Sequence, residues 1–286
     1  MQSIIDQFQL DNAVLLPEAI KVGIINQSFC LKAAEQGGKS YFLQRINHNI
    51  FQDVEGLQNN IDRVTSHIRQ ILTEAGEADV ERKVLRVVPT KDGKLYYQTP
   101  EGDYWRIYVL IENALSYERI DAQSAFLAGQ AFGNFQCQLA SIDTDTLVES
   151  IPHFHDLAFR IEQLHEAIAK DAAGRKAATQ DIADFLLQRA EDMCLAEQLY
   201  AEGKLTKRVN HCDTKVNNML FDEQGKPMCI VDLDTVMPGF VFSDFGDFIR
   251  TAANTGAEDD PNLDSIHVNM EIFQAYAKGY LSTATF

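Results

Sequence analysis

The stretch HCDTKVNNMLFDEQGKPMCIVDLD, residues 211–234, sets Asp213, Asn217, Asn218, Asp232 and Asp234 between apolar runs. Carboxylates and carboxamides are poor strand formers and costly to bury unpaired, so a partner or a function must hold them there. NMLF and MCIV read as two strands joined by DEQGKP, with Gly225 and Pro227 supplying the bend. Pairing about Gly225 predicts Asn218 opposite Asp232, two hard oxygen ligands at one end of a hairpin. That donor set suits Mg²⁺, which completes its shell with waters and phosphate oxygens.

Asp213 precedes Asn218 by five residues, and His211 opens the pattern His-x-Asp-x-x-x-x-Asn. In a phosphoryl-transfer loop of that spacing, the Asp accepts the proton of the attacking hydroxyl and the Asn holds a metal ion. Such chemistry needs little covalent participation: a base, two metal ligands and good positioning suffice. Each residue also has a plain structural explanation. Asp213 could cap a turn, Asn217 and Asn218 could adopt turn geometry, and Asp232 could end a strand. The combination at this spacing is what points to chemistry.

The elements that would carry these residues fall into two textures. The first hundred residues hold short apolar runs broken by turns. KVGIIN, QSFCLKAA and SYFLQRIN predict a three-strand meander, and KVLRVVPT, KLYYQTP and WRIYVLIE predict further strands. Between them a helix is expected from an Asp53 N-cap, with Leu57, Ile61, Val64, Ile68 and Ile71 along one face. After residue 113 helical periodicity dominates: AFLAGQAFGNFQCQLA, LAFRIEQLHEAI, and DIADFLLQRAEDMCLAEQLYAEG closed by Gly203. The prediction is an α+β, two-lobed chain: a strand-rich N-terminal lobe over 1–111 and a mainly helical lobe over 112–286. A cleft between lobes is the expected place for a ligand.

Composition narrows the partners. The chain has 286 residues, 45% of them hydrophobic, and 25 basic against 42 acidic residues give a formal charge of −17. That balance disfavours nucleic acid or an anionic membrane as the main partner, and it would suit a cationic substrate. No apolar run is long enough to span a bilayer, and the N-terminus has no basic, signal-like start. The five cysteines are scattered and never spaced Cys-x-x-Cys, so no disulfide framework is indicated and a reducing cytoplasm is expected.

At HCDTKVNN and VDLD the sequence resembles the aminoglycoside phosphotransferase and choline kinase-like superfamily, which has the two-lobed protein-kinase fold. YFLQRINHNIFQD, YWRIYVLIENA, IPHFHD and CIVDLDTVMPGFVFSDFGDFIRTAANTGAEDD look like its N-acetylhexosamine 1-kinase branch. The resemblance implies transfer of the ATP γ-phosphate to the anomeric hydroxyl of an N-acetylhexosamine. It makes Asp213 the base, Asn218 and Asp232 the Mg²⁺ ligands, and His211 and Asp234 their support. Asp244 would brace the catalytic loop, or simply cap a helix.

On the nucleotide side the resemblance asks YFLQRIN for a cation facing the phosphates. Arg45 is the choice, with Gln44 as the competing position and a structural salt bridge as the alternative use of Arg45. Glu55 would pair with that cation, although helix N-termini favour Glu anyway. Gly23 in GIINQS would cover the phosphates, and LIENA, with Glu112, would meet the adenine through its backbone. The chain departs from the branch where a His is usual at Ile24 and an aromatic at Thr251, after Arg250; these three positions are the expected acceptor contacts. The family also usually continues for several dozen residues after this chain's end, with helices that shape the sugar pocket.

Two other readings stay open. A kinase of the same fold acting on an aminoglycoside, choline or another amino sugar fits the acidity, and a nucleotide-binding pseudokinase fits the glycine-poor loop. His153 and His155 flank Phe154 without an evident third metal ligand. Trp105 reads as core near the lobe junction, and Glu258-Asp259-Asp260 as a solvated loop or an acceptor contact.

Overall fold

A computed structural model describes residues 1–21, 23, 25–257 and 260–285. Ile24 and the Glu258-Asp259 pair lie outside the described residues. The N-terminal part runs α1 (Gln2–Ile5), β1 (Glu18–Ile20), β2 (Gln27–Leu31), β3 (Tyr41–Ile46), α2 (Val54–Glu74), α3 (Val80–Lys83), β4 (Val87–Val88), β5 (Tyr97–Gln98) and β6 (Tyr104–Val109). These strands form one antiparallel sheet in the order β1-β2-β3-β6-β4, with β5 also paired to β6. The meander is as expected except at its start. The first described strand is Glu18–Ile20, ahead of KVGIIN, whose Val22 and Ile24 lie outside the described residues, and Ile25-Asn26 form a bend that leads into β2.

Strand alternation sends successive side chains to opposite faces of this sheet. On one face Leu31, Tyr41, Leu43, Trp105 and Ile107 pack with Ile5 and Phe8. The buried side of α2 packs with Ile46 and Tyr108 on the other face, and with Leu233 and Val236 of the following region. Asp53 caps α2 as predicted, its Oδ1 accepting from Gly56 N at 2.8 Å. Trp105 is core, 6.0 Å from the Phe29 ring.

The C-terminal part runs α4 (Ala122–Leu139), α5 (Leu157–Lys170), α6 (Gln180–Leu187), α7 (Ala190–Met193), α8 (Leu195–Ala201), β7 (Arg208–Asn210), β8 (Met219–Phe221), β9 (Pro227–Ile230), β10 (Met237–Gly239), α9 (Val241–Ala252) and α10 (Met270–Thr283). The single helix expected over DIADFLLQRAEDMCLAEQLYAEG is three short ones. Only Ala183 is buried across these three helices, so little packing is available to hold a long helix together. Its close at Gly203 is as expected, with Gly203 N donating to Tyr200 O at 3.0 Å.

α4, α9 and α10 share a core of Ala125, Ala128, Phe132, Phe248, Tyr276 and Tyr280. α10 lies so close to α4 that a Cβ on Gly279 would fall on the Phe126 carbonyl oxygen, and one on Gly129 on that of Tyr276. This packed trio backs β7 and the loop that follows it, with α9 contributing Asp244 to that loop. Among the described residues, no helix is long and apolar enough to cross a membrane.

Candidate active site

The chain leaves β7 at Asn210 and enters the loop His211–Asn218. His211 is fully buried; its Nε2–H donates to Val231 O at 2.9 Å, so Nδ1 is left to accept from Asp213 N at 3.2 Å. Asp244, in the first turn of α9, reaches the same turn. Its Oδ2 accepts from His211 N at 2.9 Å and its Oδ1 from Cys212 N at 2.8 Å. Gln136 Nε2 donates to Oδ2 at 2.9 Å, and Thr214 Oγ1 donates to the Asp244 carbonyl at 2.5 Å. Burial pushes the Asp244 carboxyl above its ordinary range, while these donors pull it back toward the ionised form. Cys212 is held at φ 63°, a left-handed conformation that costs a non-glycine residue roughly 1–3 kcal/mol. The two amide bonds to Asp244 hold that turn, and the turn points Asp213 outward.

Asp213 is about a quarter exposed and gripped on both oxygens. Lys215 Nζ lies 3.1 Å from Oδ1, and Asn218 Nδ2 donates to Oδ2 at 3.1 Å and to the Asp213 carbonyl at 2.8 Å. Because the amide nitrogen of Asn218 serves Asp213, its Oδ1 faces away. Among the described residues no donor reaches that oxygen. Lys215 escaped the sequence reading, although its place two residues after Asp213 on an ordered loop was visible.

The hairpin is present with its register shifted by one from expectation. Met219 pairs with Ile230, and Val231 N donates to Asn218 O at 2.9 Å, so Asn218 stands opposite Val231 and not Asp232. A bulge between Leu220 and Phe221 lets Pro227 join β9 and consumes the extra residue. Asp232 follows at φ 59°, its side chain open to solvent on one side. The protein mass around it and the nearby Asp234 raise its carboxyl to about 6, with Arg106 opposing. An under-compensated carboxylate beside an amide oxygen without a donor is a fitting pair of hard ligands for Mg²⁺.

Asp234 is buried. Arg106 of β6 pairs with it, Nη1 lying 2.5 Å from Oδ1 and Nη2 donating to Oδ2 at 2.8 Å. Asn26 Nδ2, from the bend before β2, donates to Oδ2 at 2.7 Å.

This pairing corrects the nucleotide-side expectation. Arg45 sits on the α1 face of the sheet and pairs with Asp103 on the surface at 2.5 Å. Its neighbour Gln44 is on the α2 face, directly opposite Arg106 in the β3–β6 register. Arg106 Nε and Nη2 donate to Gln44 Oε1 at 3.0 and 2.7 Å. The sheet's inward cation is thus on β6, one strand over from where it was sought. Glu55 is exposed on the first turn of α2 and makes no ion pair with Arg45. Gly23 has φ +71°, with open space where a Cβ would sit. Glu112 follows β6, where its Oε1 accepts from Ser40 Oγ at 2.6 Å and its carbonyl from Arg82 at 3.1 Å.

Residues 18–282 match the model of the Phosphotransferase enzyme family. The chain belongs to that family. Among solved structures, this phosphotransferase is similar to a spectinomycin phosphotransferase in complex with ADP and spectinomycin, at 16% identity and a TM-score of 0.57, covering 98% of this chain and 78% of that one. An amicoumacin kinase in complex with AMP-PNP, Ca²⁺ and Ami matches at 11% identity and TM-score 0.62, covering 100% and 77%. A microcompartment-associated aminopropanol kinase matches at 13% and 0.54, covering 100% and 80%. At these identities the likeness is one of fold, and the two-lobed α+β arrangement expected from the sequence is the one the phosphotransferase has.

On the far side of the loop from the sheet, α9 carries the remaining expected residues. Arg250 Nε and Nη2 donate to Asp247 Oδ1 at 3.0 and 2.7 Å. Thr251 Oγ1 bonds back to the Asp247 and Phe248 carbonyls, so its hydroxyl is committed to the helix. Asp247, one turn beyond Asp244, was missed in the sequence. Its Oδ2 is shielded and meets no donor among the described residues. His153 pairs with Asp156 and stacks on Phe159, and among the described residues no cluster of three metal-ligating side chains exists.

Proposed function

We propose that this phosphotransferase transfers the γ-phosphate of ATP to a hydroxyl of a small molecule, with the anomeric hydroxyl of an N-acetylhexosamine as the leading acceptor. The carrying observation is the grip on Asp213: a partly open carboxylate, fixed by Asn218 and Lys215, next to two unshared oxygen ligands. In this reading Asp213 takes the proton of the acceptor hydroxyl as its oxygen bonds to the γ-phosphorus and the bond to the ADP oxygen breaks. Lys215 and Asn218 hold Asp213 in place and aimed. Asn218 Oδ1 and Asp232 would hold Mg²⁺, which when bound neutralises phosphate charge. Residues 1–111 would serve as the nucleotide lobe, with Gly23 near the phosphates and the backbone around Glu112 near the base, and residues 112–286 as the catalytic lobe.

A cationic acceptor is the second reading. It is favoured by the charge of −17, by the Asp247 Oδ2 that meets no donor among the described residues and by the aminopropanol and spectinomycin kinases of similar fold. Arg250 and Asp247 would then meet the acceptor in either case.

The test is ADP release from MgATP with N-acetylglucosamine, N-acetylgalactosamine, an aminoglycoside and an amino alcohol supplied in parallel. Release confined to the hexosamines supports the leading reading; release confined to the amines replaces the acceptor and keeps the mechanism. Nucleotide binding with no turnover of any acceptor would favour a pseudokinase.

A further inference from the structure

Asp234 is a costly residue to place where it is. It is 4% exposed, two residues after a proposed metal ligand, in the short turn Leu233–Thr235. A buried carboxylate is tolerated only with a close cation and further hydrogen bonds, and even then a well-packed apolar pair is often as stable. The chain satisfies it by committing Arg106, a cation on the inner sheet face that is 1% exposed. Three pieces of the nucleotide-side region converge on this one carboxylate. β6 supplies Arg106, β3 supplies Gln44 to orient the guanidinium, and the bend before β2 supplies Asn26. Asn26 is itself fixed by accepting from Asn47 N at 2.9 Å through its Oδ1. Arg106 also lies over the Tyr108 ring, 5.0 Å from its centre.

The geometry around Asp234 therefore ties the sheet to the segment that presents Asp232. Asp232 itself is at φ 59° and its side chain takes no hydrogen bond that would set its direction among the described residues. What fixes that residue is the chain on either side: the Val231 N to Asn218 O bond before it and the Asp234 clamp after it.

We propose that Arg106 is a positioning residue for metal–nucleotide binding: by clamping Asp234 to the sheet it sets the direction of Asp232, and so couples lobe contact to Mg²⁺ affinity. The proposal rests on the reading of Asp232 as a metal ligand. It places the inward-facing cation on β6 and gives it a carboxylate of the chain as its partner, in contrast to the phosphate-facing cation expected on β3. Linkage makes the effect reciprocal, so bound Mg²⁺–nucleotide tightens the clamp.

The test measures ADP binding by calorimetry with and without Mg²⁺, for the full chain and for Arg106→Met, Arg106→Lys and Asn26→Ala. Loss of a residue that orients a metal ligand typically costs about 10–100-fold in metal affinity. Arg106→Met should weaken Mg²⁺-dependent ADP binding at least about tenfold, with Arg106→Lys intermediate, while metal-free ADP affinity stays within about twofold. Asn26→Ala, which leaves the ion pair in place, should shift the same Mg²⁺ dependence by a smaller factor, and it carries the test if Arg106→Met does not fold. Unchanged Mg²⁺ dependence in folded Arg106→Met, or in Asn26→Ala when that variant carries the test, would overturn the clamp. Equal loss of metal-free ADP in Arg106→Met would overturn it too, by making Arg106 a phosphate ligand. A wild-type chain whose ADP binding ignores Mg²⁺ would overturn the metal reading beneath it, and is seen before any substitution is made.

Discussion

Two buried aspartates support the site in opposite ways. Asp244 braces Asp213 from within one region, through backbone amides of His211 and Cys212 and the side chain of Gln136. Asp234 supports Asp232 from across the molecule, through a guanidinium and an amide of the sheet region. Backbone amides cannot leave without unfolding the loop, so Asp213, the proposed base, is held in place by the fold itself. A side-chain pair between two regions holds only while the regions stay together. Asp213 and Asp232, the proposed proton acceptor and metal ligand, therefore differ in mechanical status: the first is held by the fold of one region, the second depends on contact between the two regions.

Substitution of Asp213, the proposed base, should have the greatest consequence. Asp213→Ala should lower turnover by about 10²–10⁴-fold with MgADP affinity unchanged, as seen in steady-state rates beside calorimetry. Comparable loss of nucleotide affinity would make Asp213 a metal ligand and erase the distinction.

Next in size are the two braces themselves. Asp244→Ala strands two buried amides beside a strained Cys212, at roughly 1–3 kcal/mol for each donor, and should show chiefly as a lowered Tm. Asp234→Ala leaves Arg106 buried and unpaired, at about 3–5 kcal/mol. It should therefore lower Tm as well, but with an added loss of Mg²⁺ dependence that Asp244→Ala lacks. Identical Mg²⁺ profiles in the two variants would collapse the contrast.

A subtler test uses protons. Burial and Asp234 raise Asp232 to about 6, so the folded, metal-free chain holds a proton there that the unfolded chain has already released. Between the ordinary carboxylate range and about 6, the folded chain's extra proton means that this group's contribution to stability falls as pH rises. Mg²⁺ competes with that proton, so Mg²⁺-dependent ADP affinity should increase from pH 5 to pH 7 and then level off. Asp232→Asn should flatten the profile; an unaltered slope would place the proton elsewhere.

The smallest effect is expected at Arg45. Its partner Asp103 is on the surface and both are about a third exposed, so Arg45→Ala should cost less than about 1 kcal/mol and leave the Km for ATP within twofold. A large rise in Km would restore Arg45 to the phosphates.

These cases also mark how far the sequence could be read. The His211–Asn218 loop and the hairpin leading to Asp232 were legible because they lie close together on one continuous piece of chain, whereas Asp244, whose bonds to His211 N and Cys212 N span more than thirty positions, came from the family resemblance alone. Arg106 was not. It meets Asp234 across 128 positions, through a β3–β6 register that no local pattern states. Arg45 was chosen over Gln44 by its charge, yet strand alternation gives the two opposite faces, and a one-residue choice reverses the answer. The hairpin failed by one residue for a related reason, since the bulge at Leu220/Phe221 cannot be seen in NMLF. Helices with a buried face, such as α2 and α4, were predicted closely. The exposed stretch from 180 to 201, where packing does not decide, was not.

The central claim is that Asp213, Asn218 and Asp232 form a phosphoryl-transfer site. It is tested most directly by following the γ-phosphate itself, with radiolabelled ATP, Mg²⁺ and the acceptor panel, in wild-type and Asp213→Ala proteins. The account predicts label on an acceptor hydroxyl in the wild type, at a rate lost in the variant. Label transferred equally well without Asp213 would contradict it.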